Sequence, residues 1–169
     1  SITNIGEGYP FYAQVASKGR LVAEYVQSNP GQDSAFLLSV IDAQIINRTP
    51  RPGVCLVLCG ANDALANVTL AAFRANMEEM IRRLRAANIR PIVGTIPPNN
   101  NGTTDAVVRT YNAWISRWAG RESIPLVDFY TAVGGPSGWK AGLAVLDGLH
   151  PSPEGNAALG AAVVTDMEL

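Results

Sequence analysis

Gly53 to Cys59 is a continuous apolar run bounded by Pro52 and Gly60. A long amphipathic stretch, Thr69 to Ala87, follows it, and then a second apolar run, Ile92 to Ile96, stopped by Pro97-Pro98. Short apolar runs rich in β-branched residues and bounded by Gly or Pro are the pattern of strands buried on both faces. In the stretch between them, Leu70, Phe73, Met77, Met80, Ile81 and Leu84 recur at helical steps and form one core-facing stripe. The same alternation extends along the chain. Tyr9 to Lys18, Ser34 to Ile46, Asp105 to Ala119 and Pro153 to Val164 are predicted helices, and Leu21 to Gln27 and Leu126 to Tyr130 are predicted strands. Asn99 to Gly102 reads as a loop, and Thr131 to Leu146, with Gly134-Gly135-Pro136 and Gly138, as a long surface loop carrying Trp139. Strands alternating with helices predict an α/β fold with a parallel sheet covered on both faces.

The 169 residues suit one domain, 1–169, with hydrophobic residues at 47% and charged residues at 16%. A chain of this length buries roughly 68–70% of its unfolded surface, so neither a metal nor a disulfide is needed to hold the core. Thirteen basic residues against fourteen acidic leave a net charge of -1, with no electrostatic footprint for nucleic acid. No apolar run approaches the roughly 18 residues of a transmembrane helix. The chain opens Ser1-Ile2-Thr3-Asn4, so a targeting segment is expected to be gone or never to have existed; the compartment stays open, with secretion favoured over the cytoplasm. Cys55 and Cys59 sit in one predicted strand, roughly 13 Å apart at about 3.3 Å per residue, beyond the reach of a disulfide. They read as small buried hydrophobes. With a single histidine, a structural zinc site lacks ligands, and no cofactor is expected. Glu78 and Arg82 are spaced to pair on the wetter helix face. Arg82, Arg83 and Arg85 read as a solvated face near the helix C-terminus.

Sites of open α/β sheets lie beyond the carboxyl ends of the strands, and two polar clusters fall there. Gly60-Ala61-Asn62-Asp63 follows the first apolar run directly. The Asn62 amide either faces a developing oxyanion or caps the next helix; Asp63 reads as a structural turn residue. Asp147-Gly148-Leu149-His150-Pro151 contains the lone histidine. A turn lets Asp147 accept from one ring nitrogen of His150, leaving the other as a base; the alternative is a surface histidine beside a turn aspartate. Asp128, at the end of its predicted strand, is a rival acid.

Together these blocks resemble the SGNH (GDSL-type) hydrolase superfamily. Gly60-Ala61-Asn62-Asp63 is similar to its G-x-N-D block, and Asp147 to Pro151 to its D-x-x-H-P block. Ser1-Ile2-Thr3 resembles the tail of its G-D-S-I-T nucleophile block, and Gly31 the glycine that follows its second strand. Order and spacing agree across nearly the whole chain. The resemblance implies a three-layer α/β/α fold with a parallel, flavodoxin-like sheet. It implies Ser1 as nucleophile, His150 as base and Asp147 as the acid that orients it. The oxyanion hole would comprise the Ser1 N–H, the Gly31 N–H and the Asn62 side chain. A serine hydroxyl needs such a hydrogen-bonded base to be a good nucleophile, and activity should rise with pH as the base loses its proton.

One departure from the family matters. The glycine and aspartate before the serine are absent from this sequence, as is the first strand leading into them. Without that strand the sheet would have open backbone edges and a hole in the core. The chain is then the larger piece of a protein cut before Ser1 with the strand peptide still bound, or upstream residues exist beyond this sequence, or it is an inactive truncation. A cut would also leave an α-amine on Ser1, but an amine base would leave Asp147 and His150 without a role.

The leading expectation is an esterase that cleaves small acyl esters through an acyl-enzyme. By resemblance its substrates are acetylated sugars, short lipid esters or thioesters; the short loops of a chain this size predict an open, shallow cleft that suits small acyl groups. Acyl transfer to an alcohol is a second reading, and an inactive carbohydrate-binding or structural domain of the same fold is a third. Nucleotide binding is disfavoured, since no glycine-rich phosphate loop follows a strand.

Overall fold

The computed structural model of the protein describes residues 8–169. In chain order its elements begin with α1 (Tyr9–Ala16) and α2 (Ser34–Ile41), which runs into a π-helical turn (Asp42–Ile46). Next come β1 (Val54–Val57), α3 (Ala61–Leu65), α4 (Leu70–Ala86), β2 (Arg90–Gly94), α5 (Gly102–Glu122) and β3 (Leu126–Val127). The chain continues with α6 (Phe129–Val133), a small hairpin of β4 (Gly134–Gly135) and β5 (Gly138–Trp139), and α7 (Pro153–Asp166). The main sheet is parallel in the order β1-β2-β3, with Val57 opposite Val93 and Val93 opposite Leu126.

Alternation along these strands sends side chains to two cores. Cys55, Val57, Val93 and Leu126 face a core built with Phe73, Met77, Met80, Ile81 and Leu84 of α4 and with Tyr111, Trp114 and Ile115 of α5. Leu56, Leu58, Ile92 and Val127 face the opposite core, with Ala13 of α1, Phe129 and Val133 of α6, and Leu159 and Val163 of α7. The sheet is therefore covered on both faces, as the apolar runs predict. The α4 stripe is buried as expected. Its start is set by Thr69, whose side chain accepts from the Ala72 N–H. Phe73 stacks on Tyr111 at 4.3 Å, and the Tyr111 hydroxyl donates to the Val68 carbonyl. No helix among the described residues is long and apolar enough to cross a membrane.

Several local expectations are corrected. Glu78 pairs with Arg74 at 3.8 Å, while Arg82 turns to Glu79 with contacts of 2.6 and 2.8 Å, because a guanidinium one turn away on the same face reaches both carboxylate oxygens. The strand expected over Leu126 to Tyr130 ends at Val127, since Asp128 caps α6 by accepting from the Thr131 N–H. The loop expected over Thr131 to Leu146 holds the end of α6 and the β4–β5 hairpin, with Trp139 buried to 9% exposure. The thiols of Cys55 and Cys59 are free and half-buried. The segment expected as a strand at Leu21 to Gln27 has no regular secondary structure and joins no ladder among the described residues. There the Ala23 N–H donates to the Gln14 side chain.

Among the described residues, β1 pairs with β2 alone. Between β1 and the 21–27 segment runs a groove of about 1170 Å³. It extends from Pro52 and Arg90, at the strand starts, to Asn62 and His150, beyond the strand ends.

Candidate active site

His150 and Asp147 are held by a tight local turn. The Asp147 Oδ1 accepts from the backbone N–H of Leu149 at 2.8 Å and of His150 at 2.9 Å. Its Oδ2 lies 2.7 Å from His150 Nδ1. These contacts, the His150 N–H foremost and then its ring and the Leu149 N–H, hold the Asp147 carboxyl well below the usual carboxylate range. A charged acceptor at Nδ1 favours the tautomer with its proton there, which leaves Nε2 as the basic nitrogen. The turn depends on Gly148, whose φ of +65° suits a residue without Cβ. The turn is pinned from both sides. Asn100 N–H donates to the Gly148 carbonyl at 3.0 Å, and Val145 N–H to the His150 carbonyl at 3.0 Å. Ser152 then caps α7 by accepting from the Gly155 N–H, so the helix begins three residues after the histidine. Both side chains of the pair remain about half exposed, at 47% and 48%.

The second cluster follows β1. Gly60 turns the chain with φ +117°, and a Cβ there would collide with the Ile96 side chain. Asn62 stands in the first turn of α3, and its Nδ2 donates to the Gln32 carbonyl at 2.8 Å. That bond ties Asn62 to the loop carrying Gly31, whose φ is +72°. The amide nitrogen carries a second N–H. Gly31, Asn62 and His150 all line the groove beside β1. Ser1, expected as nucleophile and as an oxyanion donor, lies outside the described residues.

Asp128 does not compete for the histidine. Its carboxylate accepts from the Thr95 hydroxyl at 2.9 Å and from the Thr131 N–H, a structural cap. Burial pushes the Cys55 thiol up to about 11, away from the thiolate form. Burial, with the nearby Asp63 and Asp33 charges, pushes Cys59 up as well. Asp63, read from sequence as a turn residue, is fully buried at 0% exposure and accepts from both the N–H and the hydroxyl of Ser34. Sequence reasoning missed this contact; an aspartate three residues into a short helix carries no local signal of a distant partner.

The profile of the GDSL-like Lipase/Acylhydrolase family matches residues 1–158. No curated protein matches the chain by sequence. Among solved structures, the chain is similar to a protein described as a lipolytic protein of the G-D-S-L family from Desulfitobacterium hafniense. That pair shares 22% identity and a TM-score of 0.83, covering 97% of this chain and 90% of the other. A GDSL-like lipase from Bacteroides thetaiotaomicron shares 19% identity with TM-score 0.74, covering 95% of this chain and 98% of the other. A catalytic mutant of an acetylxylan esterase from Geobacillus stearothermophilus shares 18% identity with TM-score 0.77, covering 95% and 80%. With the layered α/β fold shared along nearly its whole length and the family profile spanning residues 1–158, the chain belongs to the GDSL-like lipase/acylhydrolase family.

Proposed function

We propose that the protein is a serine hydrolase that cleaves carboxylic esters of small acyl groups through an acyl-enzyme. The observation that carries this reading is the 2.7 Å contact of Asp147 Oδ2 with His150 Nδ1, on a groove that Gly31 and Asn62 also line. In the proposed cycle His150 Nε2 takes the proton of the Ser1 hydroxyl as its oxygen attacks the ester carbonyl. The negative charge on the former carbonyl oxygen is met by the N–H groups of Ser1 and Gly31 and by the Asn62 amide. Collapse breaks the ester bond, His150 returns the proton to the leaving alcohol, and water repeats the sequence to release the acid. Asp147 keeps its charge throughout and stabilises the imidazolium.

The half exposure of Asp147 and His150 supports an open site that admits water and small or surface-borne acyl groups. This favours hydrolysis over transfer to an alcohol. The likeness to an acetylxylan esterase supports acetylated sugars as a substrate class. The edge of β1 that has no partner among the described residues, and the groove beside it, support a further apolar strand, added parallel to β1 and leading into Ser1. The test is intact-mass analysis after a fluorophosphonate probe. A single adduct mapped to Ser1, with turnover of acetyl esters exceeding that of long-chain esters, is the expected result. An unmodified protein that hydrolyses no ester overturns the hydrolase reading. Product analysis with added alcohol separates hydrolysis from transfer, and a co-purifying apolar peptide in the same spectrum tests the added strand.

A further inference from the structure

We propose that Asp63 is a positioning residue that sets the spacing of the two oxyanion donors, Gly31 N–H and the Asn62 amide. This rests on the oxyanion roles proposed above. Asn62 and Asp63 are neighbours on α3, and they grip two points of one loop. Asn62 Nδ2 donates to the carbonyl of Gln32 at 2.8 Å. Asp63 Oδ2 accepts from the Ser34 N–H at 2.9 Å, and Oδ1 from the Ser34 hydroxyl at 2.5 Å. Gly31 directly precedes these two anchor points. The clamp has an outer layer, since Asn76 Nδ2 of α4 donates to Ser34 Oγ at 2.9 Å. Ser34 and Asp63 are both fully buried, at 0% exposure. Three helices, α2, α3 and α4, thereby meet at the Ser34 hydroxyl, which donates to Asp63 and accepts from Asn76.

A carboxylate suits this place because both anchor contacts need acceptors. An amide at the same position offers one oxygen and turns an N–H toward a donor. Burial pushes the Asp63 carboxyl up while the Ser34 hydrogen bonds pull it down, so the two bonds offset part of the cost of enclosing the group. Loop residues held through such contacts gain or lose catalysis by fractions of an ångström, and a misplacement of about 1 Å costs on the order of 10²-fold.

The experiment compares Asp63→Asn, Asn62→Ala and the double variant with wild type, using short acetyl esters and turnover per fluorophosphonate-reactive site. Asp63→Asn is expected to lower kcat about 10–100-fold with KM changed less than about twofold. Part of that loss should vanish in the Asn62→Ala background, because one of the two donors whose spacing Asp63 sets is already gone. An equal fold-loss in both backgrounds, or a lowered Tm with kcat per site unchanged, overturns the proposal. If Asp63→Asn does not fold, Ser34→Ala, which keeps the backbone anchor, enters the same cycle with a smaller expected loss. Amide hydrogen exchange gives a readout independent of turnover. Asp63→Asn should speed exchange at the Ser34 N–H by at least about tenfold, and unchanged exchange there overturns the clamp. Wild-type protein that turns over no ester overturns the hydrolase reading and the positioning role of Asp63 with it, while exchange still decides whether the clamp exists.

Discussion

Adding one methyl group at Gly148 probes the turn that carries Asp147 and His150, and its cost can be divided in two. The first part is conformational. Gly148 has φ +65°, and a residue with Cβ in the left-handed region costs about 1–2 kcal/mol. The second part is steric. An added Cβ would lie 2.6 Å from Asn100 Cβ and 2.9 Å from Asn100 Nδ2. Asn100 has little freedom to retreat, because its N–H bonds the Gly148 carbonyl and its Oδ1 accepts from the Trp139 N–H. Overpacking of this kind costs about 1–3 kcal/mol. Gly148→Ala should therefore cost about 2–5 kcal/mol in all, or a Tm lower by roughly 4–20 °C at about 2–4 °C per kcal/mol for a chain of this size. Two other glycines separate the contributions. Gly142 has φ +80° with nothing within 4 Å of an added Cβ, so Gly142→Ala reports the conformational part alone, about 1–2 kcal/mol. Gly135 has neither a left-handed φ nor a neighbour within 4 Å, so Gly135→Ala should be neutral or stabilising by up to about 1 kcal/mol. Thermal unfolding by circular dichroism gives the stabilities, and kcat/KM on an acetyl ester gives the function. Only Gly148→Ala should reduce kcat/KM steeply, because only it displaces the pair. A Gly148→Ala protein no less stable than Gly142→Ala would refute the steric part, and one with intact kcat/KM would refute the link between this turn and the chemistry.

Asn62→Ala should lower kcat by ~10²–10³ while leaving the fold intact, and a change below about threefold in steady-state kinetics would remove Asn62 from the oxyanion role. Asp147 has its folded pKa lowered by the His150 and Leu149 contacts. Its contribution to the turn is therefore present above the unfolded value near 3.9 and is lost as pH falls through the folded one. Carboxyl-carbon NMR should show Asp147 still ionised at about pH 4, and a midpoint above that would contradict the hydrogen bonds described. Phe73 is fully buried and stacked on Tyr111, so Phe73→Ala should cost about 3–5 kcal/mol. Its Tm should fall by about 6–20 °C, and a smaller drop would mean that the α4–α5 contact collapses around the missing ring.

Much of the molecule is written locally in the chain. Each strand of the main sheet and the long helices α4, α5 and α7 follow from periodicity, because a buried strand and a one-faced helix leave different spacings of apolar residues. The Asp147–His150 pair is equally legible: a three-residue spacing puts the two side chains within reach of each other in a turn, which Asn100 then pins from outside. Gly60 and Asn62 were legible for a related reason, since the end of a parallel strand is where such folds open.

What the chain order does not contain is partnership across distance. Leu21 to Gln27 has the composition of a strand, yet a ladder needs a neighbour at hydrogen-bonding distance, and a groove lies between this segment and β1. Trp139 sits in a glycine-rich stretch that reads as loop, and only the packing of α6 and α7 buries it. Asp63 and Ser34 are 29 positions apart, and nothing in either neighbourhood marks the bond between them. The layers, the sheet and the acid–histidine turn are legible in the chain alone, because they depend on short-range periodicity and on turn chemistry. Which loop Asn62 holds, and that Asp63 is enclosed rather than exposed, follow only from how separate elements dock.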